Sequence, residues 1–348
     1  MSAHKAQAKA KAGKPAARFT FRPFAVPRPF NWGYSFLFAA LGSAVAMLLS
    51  KLLFESGCLS FSTTSVVGCG LITALVTTLA LMLPAVFIPG RTGLDITGRY
   101  TGAGTLVMAF LSGAPVFLIR ASFRNIFTYL WLRLGNSVVF PALFSYTSDT
   151  SKASLVLQVL TDTLIPALGI SVFFYGLVWS GIRNDDKDWS YFVIPFLFCL
   201  YSLNFPDLPG LLVTGVWLCR VRKDSDNIWG PFLCLTGSRI FSLIMNGVID
   251  EVDLTTLRTY SDMPTTFFFS SLPALVVSGI LFAFFRKILN EFHNTYYADI
   301  YGEAGSKYGL EDDTHRVNRF RSGFNTALFL GVIIFITFWI FMFKGIRL

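Results

Sequence analysis

Chemistry in a strongly apolar chain starts with the few ionisable side chains placed inside its apolar runs. Three stand out: Lys51, Asp162 and Arg239. A charge at the centre of a bilayer costs about 2.5–3.5 kcal/mol even on insertion scales, so each calls for a partner or a pathway. Lys51 lies near the end of its run, where its stem can carry the ammonium to the interface. Asp162 and Arg239 lie deeper. On facing helices they can pair, either as a stabilising ion pair or as part of an ion or substrate pathway. The histidines, His4, His293 and His315, all fall outside the apolar runs. No intramembrane His–carboxylate zinc site of the usual kind follows from them. No phosphate-cradling, zinc-peptidase or nucleophile-elbow motif occurs. The glycine-rich stretch Gly98–Gly104 follows no strand and reads as a loop at the membrane surface. The five cysteines, Cys58, Cys69, Cys199, Cys219 and Cys234, form no C-x-x-C pair and read as free, buried, small apolar residues. No metal and no cofactor is implied.

The elements that must position these residues are apolar helices. Of 348 residues, 53% are hydrophobic and only 14% charged, with a mean hydropathy of +0.58. A soluble domain carries about 25% charged residues, so the surface of a soluble protein cannot be covered here. The apolar residues gather in runs near the ~20 residues that a bilayer-spanning helix needs. They show no period-2 alternation, which excludes a barrel and leaves helices as the spanning form. The expected fold is an all-α polytopic transmembrane bundle of about eight to ten spans. Candidate spans are 33–54, 66–89, 103–120, 154–182, 189–204, 208–221, 228–248, 265–285 and 323–343. The stretch 121–146 fits a continuation of the third span, an interfacial helix or a short extra span. The spans 189–204 and 208–221 are short for a crossing and must sit within the bundle.

Charge divides the chain further. The net charge is +9, and Lys5, Lys9, Lys11, Lys14, Arg18, Arg22 and Arg28 precede the first span with no acid among them. Residues 1–32 therefore read as a basic cytoplasmic tail against anionic lipid rather than a nucleic-acid arm. Residues 33–285 form the bundle, 286–322 a polar cytoplasmic segment, and 323–348 a final span with a short tail. With the N-terminus inside, Arg91, Arg99, Arg183, Lys187, Arg220, Arg222, Lys223, Arg286 and Lys287 all fall on the cytoplasmic side. The opposite loops carry Glu55, Asp207, Asp250, Glu251, Asp253 and Asp262 against one cation, Arg258. Arg124, Arg133 and Lys152 break this alternation by falling outside, as do Lys344 and Arg347 unless the number of spans is even. Trp32, Trp189 and Trp229 stand at span ends, where interfacial indoles are expected.

One further pattern covers about 155–245. Pro166-Ala167 is followed at fixed distance by Phe174 and Gly176. Phe198 lies near the end of the next span, and Ile228-Trp229 with Pro231 opens another. This resembles the CPBP family, the CAAX-protease and bacteriocin-processing intramembrane endopeptidases, at scaffold positions only. The resemblance places the family's glutamate pair at Ile170 and Ser171, its arginine at Tyr175, its histidines at Ser202 and Leu235, and its asparagine at Arg239. None of these residues is the family's catalytic type. Activation of water needs a general base beside the scissile carbonyl. The resemblance therefore implies a degenerate member in a prokaryotic plasma membrane. Such a protein binds a membrane or lipidated peptide partner without hydrolysis. A small-solute permease or channel-like subunit is the alternative, resting on Asp162, Arg239 and the helix-breaking prolines Pro84, Pro115, Pro166, Pro195 and Pro273. Active hydrolysis through Asp162 is disfavoured. It lies eight residues before the glutamate position, about 12 Å away along a helix.

Overall fold

The structure is a computed structural model that describes residues 32–55, 71, 74–84, 97–98, 102–134, 159–182, 189–202, 206–245, 249, 265–308 and 324–343. The basic tail, the loops at 56–65 and 250–264, Cys58, Cys69 and the segment 309–322 lie outside these residues. So do the side chains of Lys51 and Asp162. Among the described residues all regular structure is helical, apart from one antiparallel bridge between Gly98 and Asn227.

The helices are α1 (Trp32–Glu55), α2 (Ala74–Pro84), α3 (Ala103–Leu111), α4 (Gly113–Arg133), α5 (Ile165–Ile182), α6 (Ser190–Ser202), α7 (Leu208–Ser225), α8 (Trp229–Ile244), α9 (Thr265–Tyr308) and α10 (Thr326–Phe343). Three are long and apolar enough to cross a membrane: α3 with α4 as one run, α5, and α9 as far as Thr295. The chain is therefore an all-α helical bundle associated with a membrane. The stretch after residue 120 is a direct continuation of the third helix, which runs on to Arg133. Likewise α9 passes residue 285 without a break, so the first part of the polar segment is helix.

Prolines set the irregularities. Pro115 has no amide for the carbonyl of Leu111, and its ring crowds that turn. The chain turns at Ser112, between α3 and α4. Pro166 does the same for Asp162, inside a π-helical turn, Leu160–Leu164, that leads into α5. A second π-helical stretch, Ser171–Val178, lies within α5.

The helix ends fall into two polar layers. At one end the Gly98–Asn227 bridge joins the approach to α3 to the α7–α8 elbow, and His293 of α9 meets Asp224 of α7. At the other end Arg120 and Arg124 of α4 meet Asp207 before α7, and Asn125 donates to Ser271 Oγ of α9 at 3.1 Å. The 18 residues of α7 span about 27 Å, and Ala103 to Arg120 about 26 Å, at 1.5 Å per residue. Both lengths match the ~30 Å hydrocarbon core of a bilayer. Two separate runs thus measure the same apolar thickness.

Within that thickness the helices approach through small residues, as expected where lipid is as apolar as the side chains. A Cβ on Gly113 would stand 2.3 Å from the Ser238 amide nitrogen, and one on Gly237 2.2 Å from the Phe110 carbonyl oxygen. Backbone touches backbone where α8 crosses the α3–α4 turn. At the periphery α10 lies against α1, with Phe36 and Phe335 ring centroids 5.5 Å apart. Trp339 of α10 donates to the Leu200 carbonyl of α6 at 3.3 Å. Trp32 is fully buried against Phe324 rather than placed as an interfacial indole, whereas Trp189 and Trp229 are exposed. The short helix α6 packs closely on α7 but turns Phe192 and Phe196 outward.

Overpacking a close contact costs about 1–3 kcal/mol. Gly237→Val is expected to lower the thermal midpoint in detergent by several degrees. Gly279→Val, with open space around it, leaves the midpoint unchanged. Equal midpoints for the two variants would show that α8 and the α3–α4 turn are not in contact.

Candidate functional site

The six positions singled out by the resemblance lie on α5, α6 and α8, helices that pack around α7. Ser171 and Tyr175 stand on the π-helical stretch of α5. Tyr175 is fully buried, and its hydroxyl lies 3.5 Å from the Gly215 carbonyl of α7. It shares one apolar core with Leu235, Phe174, Cys199, Cys219 and Cys234, and Ile170 packs against that core. Ser171 is buried, and its hydroxyl finds no acceptor among the described residues. Ser202 turns back on its own helix, donating to the Cys199 carbonyl at 2.8 Å. Arg239 is half-buried on α8, and its carbonyl accepts from Ser242. So Ile170, Tyr175 and Leu235 belong to one packed interior. Ser202 borders that interior through its bond to the Cys199 carbonyl, and Arg239 lies half-buried one turn beyond Leu235 on α8. The π turn that carries Asp162 packs on α8, the helix of Arg239.

Cys199, Cys219 and Cys234 are free, buried thiols. Cys234 Sγ lies 3.3 Å from Ser112 Oγ, which also accepts the Trp217 indole N–H at 3.3 Å. The turn forced by Pro115 is thereby tied to α7 and α8. Among the described residues no group of three His, Cys, Asp or Glu side chains is placed to hold a metal ion.

The strongest electrostatics lie at the two ends of α7, on residues that the spacing arguments passed over. At the elbow, Arg222 is 3% exposed, and its Nε donates to the Tyr175 carbonyl at 2.8 Å. Its Nη1 lies 3.5 Å from Asp226 Oδ1. Asp226 closes α7 in the left-handed region at φ 45°. Gly98 has φ +80°, and a Cβ there would stand 1.9 Å from the Asp226 carbonyl oxygen. Only glycine fits this position. The glycine-rich stretch is therefore docked into the elbow at this point rather than lying free at the surface. Beside it, Arg220 Nε donates to Asp224 Oδ2 at 2.9 Å, and His293 Nδ1 lies 2.8 Å from the Asp224 carbonyl.

At the other end, Asp207 is fully buried. Its loop carries no cation of its own. Two arrive from α4, one helical turn apart. Arg124 grips the carboxylate with Nε and with Nη2, the latter at 2.6 Å, and Arg120 Nη2 reaches it at 3.0 Å. Arg124 is thus a paired interior cation, not an exposed one that breaks the charge alternation. Burial alone would raise the pKa of Asp207. The guanidinium of Arg124, then that of Arg120, overrides this and holds the carboxyl well below the usual carboxylate range. A signal for this cluster exists in the sequence: two arginines at i and i+4 within an apolar helix, and one aspartate between Pro206 and Pro209. Their mutual contact is not encoded in any local spacing.

The chain matches no protein-family model, no curated protein and no solved structure.

Removing one member of a buried ion cluster costs about 3–5 kcal/mol, because the remaining charge is left buried. Asp207→Asn is expected to destabilise the protein by that amount near neutral pH. The folded-state pKa of Asp207 lies below its unfolded value. Its contribution is complete above the unfolded value and lost as pH falls through the folded one. The stability gap between wild type and Asp207→Asn should then stay flat down to about pH 4 and close only below it. Chemical denaturation in detergent across that range measures the gap. Closure already between pH 7 and 5 contradicts a doubly paired carboxylate.

Proposed function

We propose that the protein is a multi-pass plasma-membrane protein built on a CPBP-like helical scaffold that binds a membrane or lipidated peptide without cleaving it. The observation that carries this reading is the packing of Ile170, Tyr175 and Leu235 into one apolar interior, on helices in the order that the motif pattern requires. A hydrolytic centre needs a base free to activate water. The buried carboxylates among the described residues are both engaged, Asp207 by Arg120 and Arg124 and Asp224 by Arg220. The motif positions themselves offer an isoleucine, a tyrosine and a leucine in the core. That combination supports a retained scaffold with its chemistry lost.

The proposed orientation puts the N-terminus in the cytoplasm. It is supported by the end at which Arg220, Arg222, Lys223, Arg286 and Lys287 gather, next to the Gly98 bridge. Of the three cations that break the alternation, Arg124 weighs less against it, since it pairs with Asp207, while Arg133 and Lys152 still do. The permease reading depends on Asp162 and Arg239 facing each other. Contact between the segments that carry them supports it less directly than the packed core supports a binding scaffold.

Reconstituted protein is expected to bind a prenylated CAAX-type peptide saturably, read by fluorescence anisotropy, while mass spectrometry finds the peptide intact. Cleavage, or equal affinity for the unprenylated peptide, would falsify the reading. Topology is tested separately. In intact cells an impermeant maleimide should label Leu134→Cys directly and Lys223→Cys only after permeabilisation. The reverse pattern inverts the orientation.

A further inference from the structure

Two cations stand side by side where α7 and α9 reach the elbow layer, and only one of them has an acid partner. Arg220 of α7 is 26% exposed. Its Nε donates to Asp224 Oδ2 at 2.9 Å, and its Nη2 donates to Asn290 Oδ1 of α9 at 3.4 Å. Arg286 of α9 lies one turn before Asn290, is exposed, and makes no ion pair or hydrogen bond among the described residues. Trp217 of α7 packs on Phe282 of α9 with ring centroids 4.6 Å apart, and both helices run the same way from there to the His293–Asp224 contact. Arg220 follows Trp217 by three residues and Arg286 follows Phe282 by four. Both positions therefore reach one height, about 4.5 and 6 Å further on. Asp224 answers Arg220, which leaves the charge of Arg286 over. His293, at the Asp224 carbonyl, can add to that charge but not cancel it. The neighbouring charges point elsewhere. Lys223 stands over the Tyr191 ring of α6, and Lys287 and Glu291 lie about 100° and 140° round α9 from Arg286.

An apolar groove leads up to this pair. On α9, Gly279, Ala283, Arg286 and Asn290 recur at i, i+4, i+7 and i+11, on one helix face. Gly279 and Ala283 are exposed, and a Cβ on Gly279 would meet nothing within 4 Å. The Trp217–Phe282 and Arg220–Asn290 contacts put this face on the α7 side. On α7, Val213, Val216 and Arg220 recur at i, i+3 and i+7, and Val216 is 44% exposed. The groove thus has apolar walls within the bilayer and a basic end at its interface. Basic sites between membrane helices suit anionic lipid headgroups, and the planar arginine fork suits phosphate oxygens.

We infer that the α7–α9 groove holds one anionic phospholipid, its acyl chain along Gly279, Ala283 and Val216 and its phosphodiester between Arg220 and Arg286. The inference uses the bilayer placement but not the family resemblance, so it stands or falls apart from peptide binding.

The test uses the full chain in neutral detergent, with native mass spectrometry reading retained phosphatidylglycerol and phosphatidylcholine. Wild type is expected to retain phosphatidylglycerol over phosphatidylcholine; equal retention overturns the site and needs no variant. Arg286→Gln removes an exposed cation without a protein partner, so the fold is kept. It is expected to weaken phosphatidylglycerol binding by about tenfold, as loss of a charge-assisted hydrogen bond implies. Lys287→Gln removes the same charge at the same depth but off the groove, and should cost much less. Equal losses in the two variants mean a diffuse basic surface and overturn the site. Gly279→Leu changes no charge but fills the groove, and should lower retention while the thermal midpoint without lipid holds. Unchanged retention in that variant places the lipid elsewhere and overturns the inference as well.

Discussion

Burying charge at both ends of one helix is the constraint on which this bundle turns. The helix α7 carries Asp207 immediately before its start and Arg222 and Asp224 in its last turn, all of them withdrawn from water. An isolated buried ion is too costly to keep, so partners must come from elsewhere in the chain. Arg120 and Arg124 on α4 answer Asp207. The carbonyl of Tyr175 on α5 answers Arg222, and Arg220, with His293 of α9 at the adjacent carbonyl, answers Asp224. These contacts draw α4, α5 and α9 around α7 in one register. The apolar length between the two polar layers then follows from helix rise alone.

Between those layers, specificity comes from shape. Gly113 and Gly237 let α8 lie backbone to backbone on the α3–α4 turn, and Pro115 makes that turn by withdrawing one amide from the ladder. Ser112 is freed by the same turn and becomes a junction for Cys234 and Trp217. The π-helical stretch of α5 has the Tyr175 carbonyl engaged by Arg222, while the Tyr175 ring fills the interior beside α7. π-Helical turns often occur at functional sites. Here the stretch coincides with Ser171 and Tyr175, and its interior is occupied by packed side chains rather than by a polar constellation.

Some of this was legible in the chain itself. The deficit of charge and the long apolar runs require helices in a membrane, because lipid gives the backbone no other partners. The continuation of the third run past residue 120 was one of three readings that the sequence allowed, and packing of α4 on α9 selects it. Asp162 and Arg239 were found by their type, since a charge in an apolar run is visible without any structure. Arg124 and Asp207 were equally visible as charges but were placed on loops outside the spans, and Arg120, the last residue of the third candidate span, was passed over.

The sequence by itself determined helix content, approximate helix positions, and the absence of a usual catalytic set at Ile170, Ser171, Tyr175, Ser202, Leu235 and Arg239. These are consequences of residue type and local period. Tertiary structure alone decided that Asp207 meets two arginines 83 and 87 residues away, that Gly98 locks into the α7–α8 elbow, and that Trp32 is buried. The physical reason is range. Propensity and hydropathy act over a turn or a span. The pairing of buried charges and the close approach of backbones depend on which helices become neighbours, and no local period records that.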